Sequence, residues 1–341
     1  MDFIPESNLI INLTVLGISF VILTKSADFL VDGAVAIAAI LKVPKILIGI
    51  VLVGFATTAP EFTVSLISAV KGLPEIALGN AIGSVIVDDA FALGLGIIVA
   101  PAAIIVESKT LKRIGLFLIC IYILAFILAF TGIGNESIIE RWEGILLLVI
   151  LACYLVLVIL SERKRRNKER NSHIADEVDE YIKPGGILKQ FLRFLAGVAG
   201  IIVASNFLVE SAENIASIFH VSEAIIGLTI VAIGTSLPEI ATCVVASRKG
   251  HGDLALGDIL GADILNILWI IGAASTANPI KVSNDLILFS FPSMFIIVGT
   301  MLLFARLGYK LEKWKGIVLV SLYIIYLCIA IVLFFIFGIS T

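Results

Sequence analysis

The chain has 341 residues, of which 60% are hydrophobic and only 15% are charged, and its mean hydropathy is +1.11. A soluble domain has about 45–50% apolar and about 25% charged residues, so this composition excludes a soluble globular protein and indicates a polytopic membrane protein. The formal net charge of −3 is too small to indicate nucleic acid or another highly charged partner.

Ten segments are long and apolar enough to cross a bilayer, which requires about 20 mostly apolar residues. In chain order, the predicted spans are 8–39, 43–70, 76–102, 112–132, 139–161, 187–217, 221–248, 253–277, 284–306 and 313–338. The long polar segment 162–186 is predicted to be a mobile or amphipathic linker. It divides the chain into a first five-helix unit, 1–161, and a second one, 187–341.

Lysines and arginines are distributed unevenly between the two ends of these spans. Of the 24 in the chain, 20 lie on the side of the 162–186 linker, and Lys25 lies inside a span. Only Lys71, Arg141 and Lys281 lie on the opposite side. Because cytoplasmic loops carry an excess of these residues, the linker is predicted to be cytoplasmic. Both termini are then predicted to lie outside the cell membrane.

The sequence overlays itself without a gap when it is shifted by 178 residues. Residues 28–61 fall on 206–239, and residues 78–89 fall on 256–267. Five spans separate the two copies, and since five is odd, the second copy enters the bilayer from the opposite side. The sequence therefore predicts an all-α membrane protein of ten transmembrane helices in two inverted five-helix repeats, as in many secondary transporters.

The repeat contains an interruption that is costly in a membrane helix. GFATTAPEF at 54–62 places Gly54 and Pro60 within an apolar span. Proline removes a backbone donor and clashes with the carbonyl four residues back, so carbonyls near residues 54–57 are predicted to become oxygen ligands. The hydroxyls of Thr57 and Thr58 lie in the same stretch. Irregular backbone at membrane depth is tolerated only in a protein-lined or watery cavity.

The second copy repeats this pattern, with Thr235, Ser236, Pro238 and Glu239. A single kinked helix is commonly a packing device, and a single membrane glutamate can be protonated. Two symmetric copies favour function instead, because ionisable residues at mid-span usually mark an ion or substrate site. Glu61 and Glu239 both lie near the middle of their spans.

The types of ligand in these motifs favour hard cations. Calcium takes six to eight oxygens from carboxylates, carbonyls and waters, and two facing glutamates offset its double charge. Histidine and cysteine are absent from the motifs, which disfavours zinc and copper. The four cysteines are far apart and are predicted to be free thiols. His173, His220 and His251 are predicted to be solvated, and no prosthetic group is expected.

The helix after each interrupted one supplies a third pair of residues. Asp88 lies 27 residues after Glu61, and Asn266 lies 27 residues after Glu239. As repeat mates, they are predicted to reach the same central site. Small faces on these helices, at Gly79, Gly83, Gly257 and Gly261, favour close helix packing.

These motifs resemble the alpha repeats of the sodium/calcium exchangers, in the cation/calcium exchanger superfamily. The resemblance rests on ATTAPE at 56–61, GTSLPE at 234–239, GNAIGSVIVD and GDILGADILN, and it covers nearly the whole chain. It implies antiport of sodium against calcium by alternating access, without enzymatic activity, in a protein that functions as a monomer.

The resemblance also implies roles for individual residues. Calcium would be bound by Glu61 and Glu239 with Thr57 and Thr235, and sodium would use the same acids with Thr58, Ser236 and carbonyls near Gly54 and Ala232. Asp88 and Asn266 would complete the site, and spans 8–39 and 187–217 would slide across the core.

Two features depart from the family's pattern. The acid and amide of the last pair are exchanged, because the family commonly has Asn in the first repeat and Asp in the second. The other departure is Asp89, Asp258 and Asp263, where the family often has neutral residues. These acids are interpreted either as groups that admit protons or alter selectivity, or as helix caps or vestibule residues.

Three other functions remain open. A proton-coupled calcium exchanger is the nearest, since a buried carboxylate can carry a proton. An intramembrane aspartyl protease is suggested by GHGD at 250–253, but no Tyr-Asp partner motif is present, and Asp253 is predicted to cap a helix. A passive channel is the third.

Overall fold

A computed structural model describes residues 8–130, 137–169, 186–218, 232–283 and 286–337, and nearly all of them are helical. In these ranges, eight helices are long and apolar enough to cross a membrane, or nine when a helix pair with a 46° bend is counted as one span. The fold is therefore all-α and multi-pass, as predicted. The predicted span 221–248 begins outside the described residues, so a count of ten is not established.

The described residues of the first half form eight α-helices. They are α1 (Leu9–Leu41), α2 (Lys45–Ile48), α3 (Gly54–Thr57), α4 (Ala59–Val70), α5 (Pro74–Ile86), α6 (Leu93–Val99), α7 (Ser108–Phe130) and α8 (Arg141–Glu169). π-Helical turns join α2 to α3 at Gly49–Val53, and α5 to α6 at Val87–Ala92. Helix α8 continues eight residues past the predicted end of the fifth span, into the polar segment.

The second half begins with α9 (Gly186–Ile218). It continues with α10 (Ala232–Thr235), α11 (Leu237–Arg248), α12 (Gly252–Leu265), α13 (Gly272–Ala277), α14 (Phe291–Arg306) and α15 (Lys313–Phe337). π-Helical turns lie at Asn266–Ile271, between α12 and α13, and at Leu286–Ser290, before α14.

Four two-residue strands lie in the loops between helices. Strand β1 (Ile104–Ile105) pairs antiparallel with β4 (Lys310–Leu311), and β2 (Ile138–Ile139) pairs antiparallel with β3 (Ile280–Lys281). Each pair joins a loop of the first half to a loop of the second, so the two halves are linked at both pairs.

The predicted interruption lies at Thr58. Helix α3 ends at Thr57, α4 restarts at Ala59 with Pro60 in its first turn, and the two segments are bent by 46°. The second copy has the same form, because α10 ends at Thr235 and α11 restarts at Leu237 with Pro238 in its first turn. Proline is tolerated in a first turn, where the missing N–H has no intrahelical partner.

The interrupted helices pack on a core span that is almost completely enclosed by protein. The span Gly252–Ala277 is buried over 94% of its most apolar stretch, whereas Arg141–Ser161 is buried over only 17%. Close packing on this core depends on glycine. A Cβ on Gly257 or Gly261 would meet the backbone of Ile46 or Ile50, respectively. This confirms the predicted small face on the second repeat.

The corresponding face on the first repeat has no such neighbour in the described chain. A Cβ on Gly79 or Gly83 would meet nothing within 4 Å. The segment that corresponds by repeat to 46–50 is 224–228, which lies outside the described residues.

Candidate functional site

The two predicted glutamates meet in the core of the protein. Glu61 in the first turn of α4 and Glu239 in the first turn of α11 are each only 1% exposed. Their carboxyl groups interact directly, side chain to side chain. The helix restart explains this arrangement, since each proline is followed by a glutamate that points back into the break.

Hydroxyl groups from the opposite repeat approach each glutamate. Thr58 donates a hydrogen bond to Glu239 Oε1 at 3.3 Å. Ser236, at the repeat position of Thr58, approaches Glu61, but its hydroxyl lacks good hydrogen-bond geometry. Each interrupted helix therefore contributes one acid and a hydroxyl directed at the acid of the other.

A second layer of contacts also crosses between the repeats. Thr57 donates to Asp258 Oδ1 on α12 at 3.2 Å, and Thr235 donates to Asn80 Oδ1 on α5 at 3.4 Å. Asn80 and Asp258 occupy the same repeat position. Sequence reasoning did not place Asn80 in the site and left the role of Asp258 open between several alternatives, although the 178-residue offset relates the two positions.

Asp88 and Asn266 lie at the start of π-helical turns on the helices that follow the interrupted ones. Both are 1% exposed. Asp88 interacts electrostatically with Glu239, Asp263, Glu61 and Asp258, in that order. π-Helical turns occur frequently at functional sites, and here they lie at corresponding places in both repeats. Asp88 therefore lies within electrostatic range of both glutamates.

Many buried polar atoms of the cluster accept or donate no hydrogen bond within the described part of the chain. They are both carboxylate oxygens of Glu61 and Asp88, Glu239 Oε2, Asp258 Oδ2, Asn266 Oδ1, Ser84 Oγ and Ser236 Oγ. Buried acceptors are normally satisfied, and an unsatisfied one costs about 1–3 kcal/mol or more when it is charged. Oxygens arranged in this way suit cations as ligands.

The described residues hold no group of three acidic, histidine or cysteine side chains close enough to bind one metal ion. A bound cation would therefore also require hydroxyl and backbone oxygens. The Gly54 carbonyl, which was predicted to be freed, accepts the N–H of Thr58 at 2.9 Å and lies 3.3 Å from the Thr57 hydroxyl oxygen. It retains a helical hydrogen bond because the chain stays helical up to Thr57. Ala232 begins α10.

Asp89 and Asp263 form a separate acidic pair next to the central cluster. Both are fully buried, they interact with each other, and the hydroxyl of Tyr122 on α7 faces Asp263. A position in a vestibule is wrong for Asp89, Asp258 and Asp263, because each is 0% exposed. Helix capping is also wrong, because Asp258 and Asp263 lie inside α12 and Asp89 lies within a π-helical turn.

The structure also shows the state of the cysteines and of one histidine. Cys120, Cys153, Cys243 and Cys328 are free thiols, as predicted. His251 is not a solvated residue: it is half-buried, and Nδ1 lies 3.1 Å from Lys45 Nζ. Burial, and then the charge of Lys45, lowers the pKa of His251 below its ordinary value. His173 and His220 lie outside the described residues.

The predicted cap at Asp253 also differs in detail. His251 is the N-cap of α12, and Asp253 lies in the first turn, where it accepts the N–H of Leu254 at 3.0 Å. A carboxylate in that position still stabilises the helix N-terminus.

A cavity of about 540 Å³ reaches the interrupted helices from one side. Its wall includes Pro60, Thr235 and Pro238 from the two breaks, and Glu210 and Glu213 from α9. The cavity thus connects two partly exposed acids to the region of the site.

Comparisons with known proteins agree with this geometry. The sequence profile of the family described as "Sodium/calcium exchanger protein" matches residues 11–160 and 189–332. The sodium/calcium exchanger MaX1 of Methanosarcina acetivorans is 29% identical, over 96% of this chain and 99% of its own length. The putative antiporter CaxA of Alkalimonas amylolytica is 33% identical, over 91% of this chain and 95% of its own.

A solved structure shares the fold. The sodium-calcium exchanger NCX_Mj, soaked with 100 mM Na+ and 10 mM Sr2+, superposes with a TM-score of 0.78 at 26% identity. The match covers 94% of this chain and 99% of that one.

An all-helical membrane fold with paired acids at interrupted helices defines a membrane transporter for cations, not an enzyme. The chain belongs to the sodium/calcium exchanger family, and it is a multi-pass cation/calcium exchanger.

Proposed function

We propose that this protein exchanges sodium for calcium by alternating access at a single central site. The observation that carries the proposal is the pairing of Glu61 and Glu239, which are each 1% exposed and interact directly at the two helix breaks. Both cargo ions compete for these acids, so coupling needs no second site. A bound cation neutralises the acids, and only a neutralised core crosses an apolar barrier at low cost.

The proposed ligands follow the cross-repeat contacts. Glu61 and Glu239 bind calcium with the hydroxyls of Thr57 and Thr235. Sodium uses the same acids with Thr58, Ser236 and the carbonyls near Gly54 and Ala232, and Asp88 and Asn266 complete the site. The support is the hydrogen bond from Thr58 to Glu239 and the burial of seven of these side chains, which are those of Thr57, Thr58, Glu61, Asp88, Ser236, Glu239 and Asn266.

Ten spans in two inverted repeats remain part of the proposal. The strand pairs support inversion, because β1 lies in the loop before α7 and pairs with β4, in the loop before α15. In an inverted arrangement these two loops lie at the same side of the membrane, whereas two parallel repeats would separate them. Pairing of β2 with β3 fits inversion at the other side.

The proposed orientation puts the 162–186 linker in the cytoplasm and both termini outside, and it rests on the distribution of lysine and arginine. The cavity beside Glu210 would then open to the outside, because Glu210 lies 24 residues beyond the start of α9 at Gly186. The protein is proposed to work as a monomer.

Proton-coupled calcium exchange is the second candidate. The buried pair of Asp89 and Asp263 favours it, because these acids have no hydrogen-bond partner among the described residues. A carboxyl pair in direct contact is stable when it shares a proton. Sodium remains the first candidate because the site also offers threonine and serine hydroxyls.

Calcium uptake into proteoliposomes distinguishes these functions. Sodium, potassium and proton gradients are applied one at a time, and radioactive calcium in the vesicles is counted. Uptake that needs an outward sodium gradient supports the proposal, and uptake driven by a pH gradient alone supports the second candidate. Calcium flux without any coupling gradient would indicate a channel and would contradict both.

A further inference from the structure

The repeat-related positions 80 and 258 carry different charges in otherwise matching contacts. Thr57 donates to Asp258 at 3.2 Å, whereas Thr235 donates to the amide of Asn80 at 3.4 Å. The amide is a neutral acceptor, but the carboxylate adds a formal negative charge at the Thr57 end. The two ends of the site are therefore geometrically alike and electrostatically different.

The surroundings of Asp258 leave its charge uncompensated. The residue is 0% exposed, and Oδ2 accepts no hydrogen bond from the described residues. Its interaction partners are Glu239 and Asp88, which are like charges, and the hydroxyl of Thr57. The one buried base in the described ranges, Lys315, donates to three carbonyls at the end of α14 and the loop that follows it. A buried charge without a partner is strongly unfavourable, so Asp258 is stable as a carboxylate only with a cation beside it.

We propose that Asp258 is a fourth acid of the transport site and binds a monovalent cation, Na+, at the Thr57 end. The oxygens available there are Asp258 Oδ1 and Oδ2, the Thr57 hydroxyl, and the carbonyl of Val53, which lies 3.2 Å from that hydroxyl. This inference rests on the proposed sodium/calcium exchange and assigns Asp258 a role in selectivity. With Glu61, Glu239 and Asp88, it gives the site four formal negative charges.

The test isolates charge from hydrogen bonding. Asp258→Asn keeps an acceptor for Thr57 but removes the charge, and Asp253→Asn is the matched control on the same helix, outside the site. Purified protein is loaded with radioactive calcium in detergent, and NaCl is added until half of the calcium is displaced. A cation about 4 Å from a carboxylate is strongly attracted to it at the effective dielectric constant of a protein. Because Asp258→Asn removes this attraction, it should raise the sodium concentration that displaces half of the calcium at least about tenfold.

A double variant tests whether the sodium affinity depends on the total charge of the site. Asp258→Asn combined with Asn80→Asp restores the total charge at the mirror position and should recover most of the lost sodium affinity. An Asp258→Asn curve that coincides with that of Asp253→Asn would overturn the inference. A wild-type protein that binds calcium without any displacement by sodium would instead refute the proposed function.

A group of ion pairs lies at the end of the molecule opposite the cavity. Lys249, just after α11, forms ion pairs with Asp28 at 3.0 Å and Asp32 at 2.6 Å on α1, and Arg193 on α9 pairs with Asp32 at 2.6 Å. The Lys249 pairs link the end of the core helix α11 to α1, and the Arg193 pair links α1 to α9. At this end, charges hold the outer helices against the core.

Two of these four charges recur at the repeat positions. Lys71 is the repeat mate of Lys249, and Glu210 is the repeat mate of Asp32, both at the 178-residue offset. Here Lys71 is exposed, and Glu210 lies on the wall of the cavity. We infer that Lys71 and Glu210 form the matching ion pair when the transporter closes the cavity and opens at the Lys249 end. This inference also rests on alternating access.

A charge swap tests this pair. Lys71→Glu and Glu210→Lys should each slow sodium-driven calcium uptake, because like charges then oppose closure, and the double variant should restore the rate. Lys71→Glu with Glu213→Lys is the matched control, which should stay slow. Calcium binding in detergent should be unchanged in all of them.

A double variant as slow as the single ones, or equal rescue through Glu213, would overturn the pair. If wild-type vesicles show no sodium-driven uptake at all, the proposed function fails and not the ion pair alone.

Discussion

Removing one charge from the glutamate pair is the most direct test of the site. Glu61→Gln and Glu239→Gln each keep the side-chain volume and remove a carboxylate that is only 1% exposed. At an effective dielectric constant of 20, two unit charges about 4 Å apart interact by about 4 kcal/mol, so a divalent ion gains about 8 kcal/mol. Desolvation of the ion and the acid offsets much of this gain, but even a net loss of about 2 kcal/mol weakens binding by about 30-fold. We therefore expect either substitution to reduce calcium exchange by at least about 30-fold at calcium concentrations below saturation.

The assay is the initial rate of calcium uptake into sodium-loaded proteoliposomes that are diluted into sodium-free buffer. Glu75→Gln is the matched control, because Glu75 is an exposed acid in the first turn of α5. Correct folding is checked by gel filtration of each variant in detergent. If Glu61→Gln or Glu239→Gln exchanges calcium as fast as Glu75→Gln, the glutamate pair is not the transport site.

Three further predictions follow from particular contacts. Thr58→Val removes the 3.3 Å hydrogen bond to Glu239 and should weaken sodium competition about tenfold, while Thr58→Ser should not. Gly257→Val would place a side chain against the backbone of α2 and should destabilise the protein by about 1–3 kcal/mol or more. A fall in the thermal midpoint would show this, with Gly299→Ala, which has open space, as control. The pKa of His251 is lowered by burial, so below about pH 6.5 the unfolded state binds more protons than the folded state. The free energy of unfolding therefore decreases as the pH is lowered through this range. His251→Gln should reduce the loss of thermal midpoint between pH 7 and pH 5, and an unchanged loss would contradict the assignment.

Much of the fold follows from local properties of the sequence. The long apolar segments predict membrane helices because a bilayer requires about 20 apolar residues, and their bounds agree closely with α1, α9 and α15. The breaks before Pro60 and Pro238 also follow locally, since proline cannot donate a backbone hydrogen bond. The acids beside these breaks were predictable because a mid-span glutamate is costly unless it has a partner.

Local reasoning failed where the answer depends on which helix faces which. The burial of Asp89 and Asp263 was not predicted, because a core segment that is enclosed on every side, such as α12, has no exposed face whose pattern would separate a buried acid from an exposed one. Helix α8 runs on to Glu169 because a helix can continue beyond its apolar stretch, and hydropathy locates only that stretch.

The sequence by itself determined the membrane class, the interrupted helices, the 178-residue repeat and the paired glutamates. These depend on composition, on proline chemistry and on spacing along the chain. Only the tertiary structure decided that Thr57 meets Asp258, that Thr235 meets Asn80, and that Lys249 pairs with α1. Those contacts join residues about 150 to 220 positions apart, and they arise from the packing of helices around a glycine-lined core, which no short-range pattern specifies.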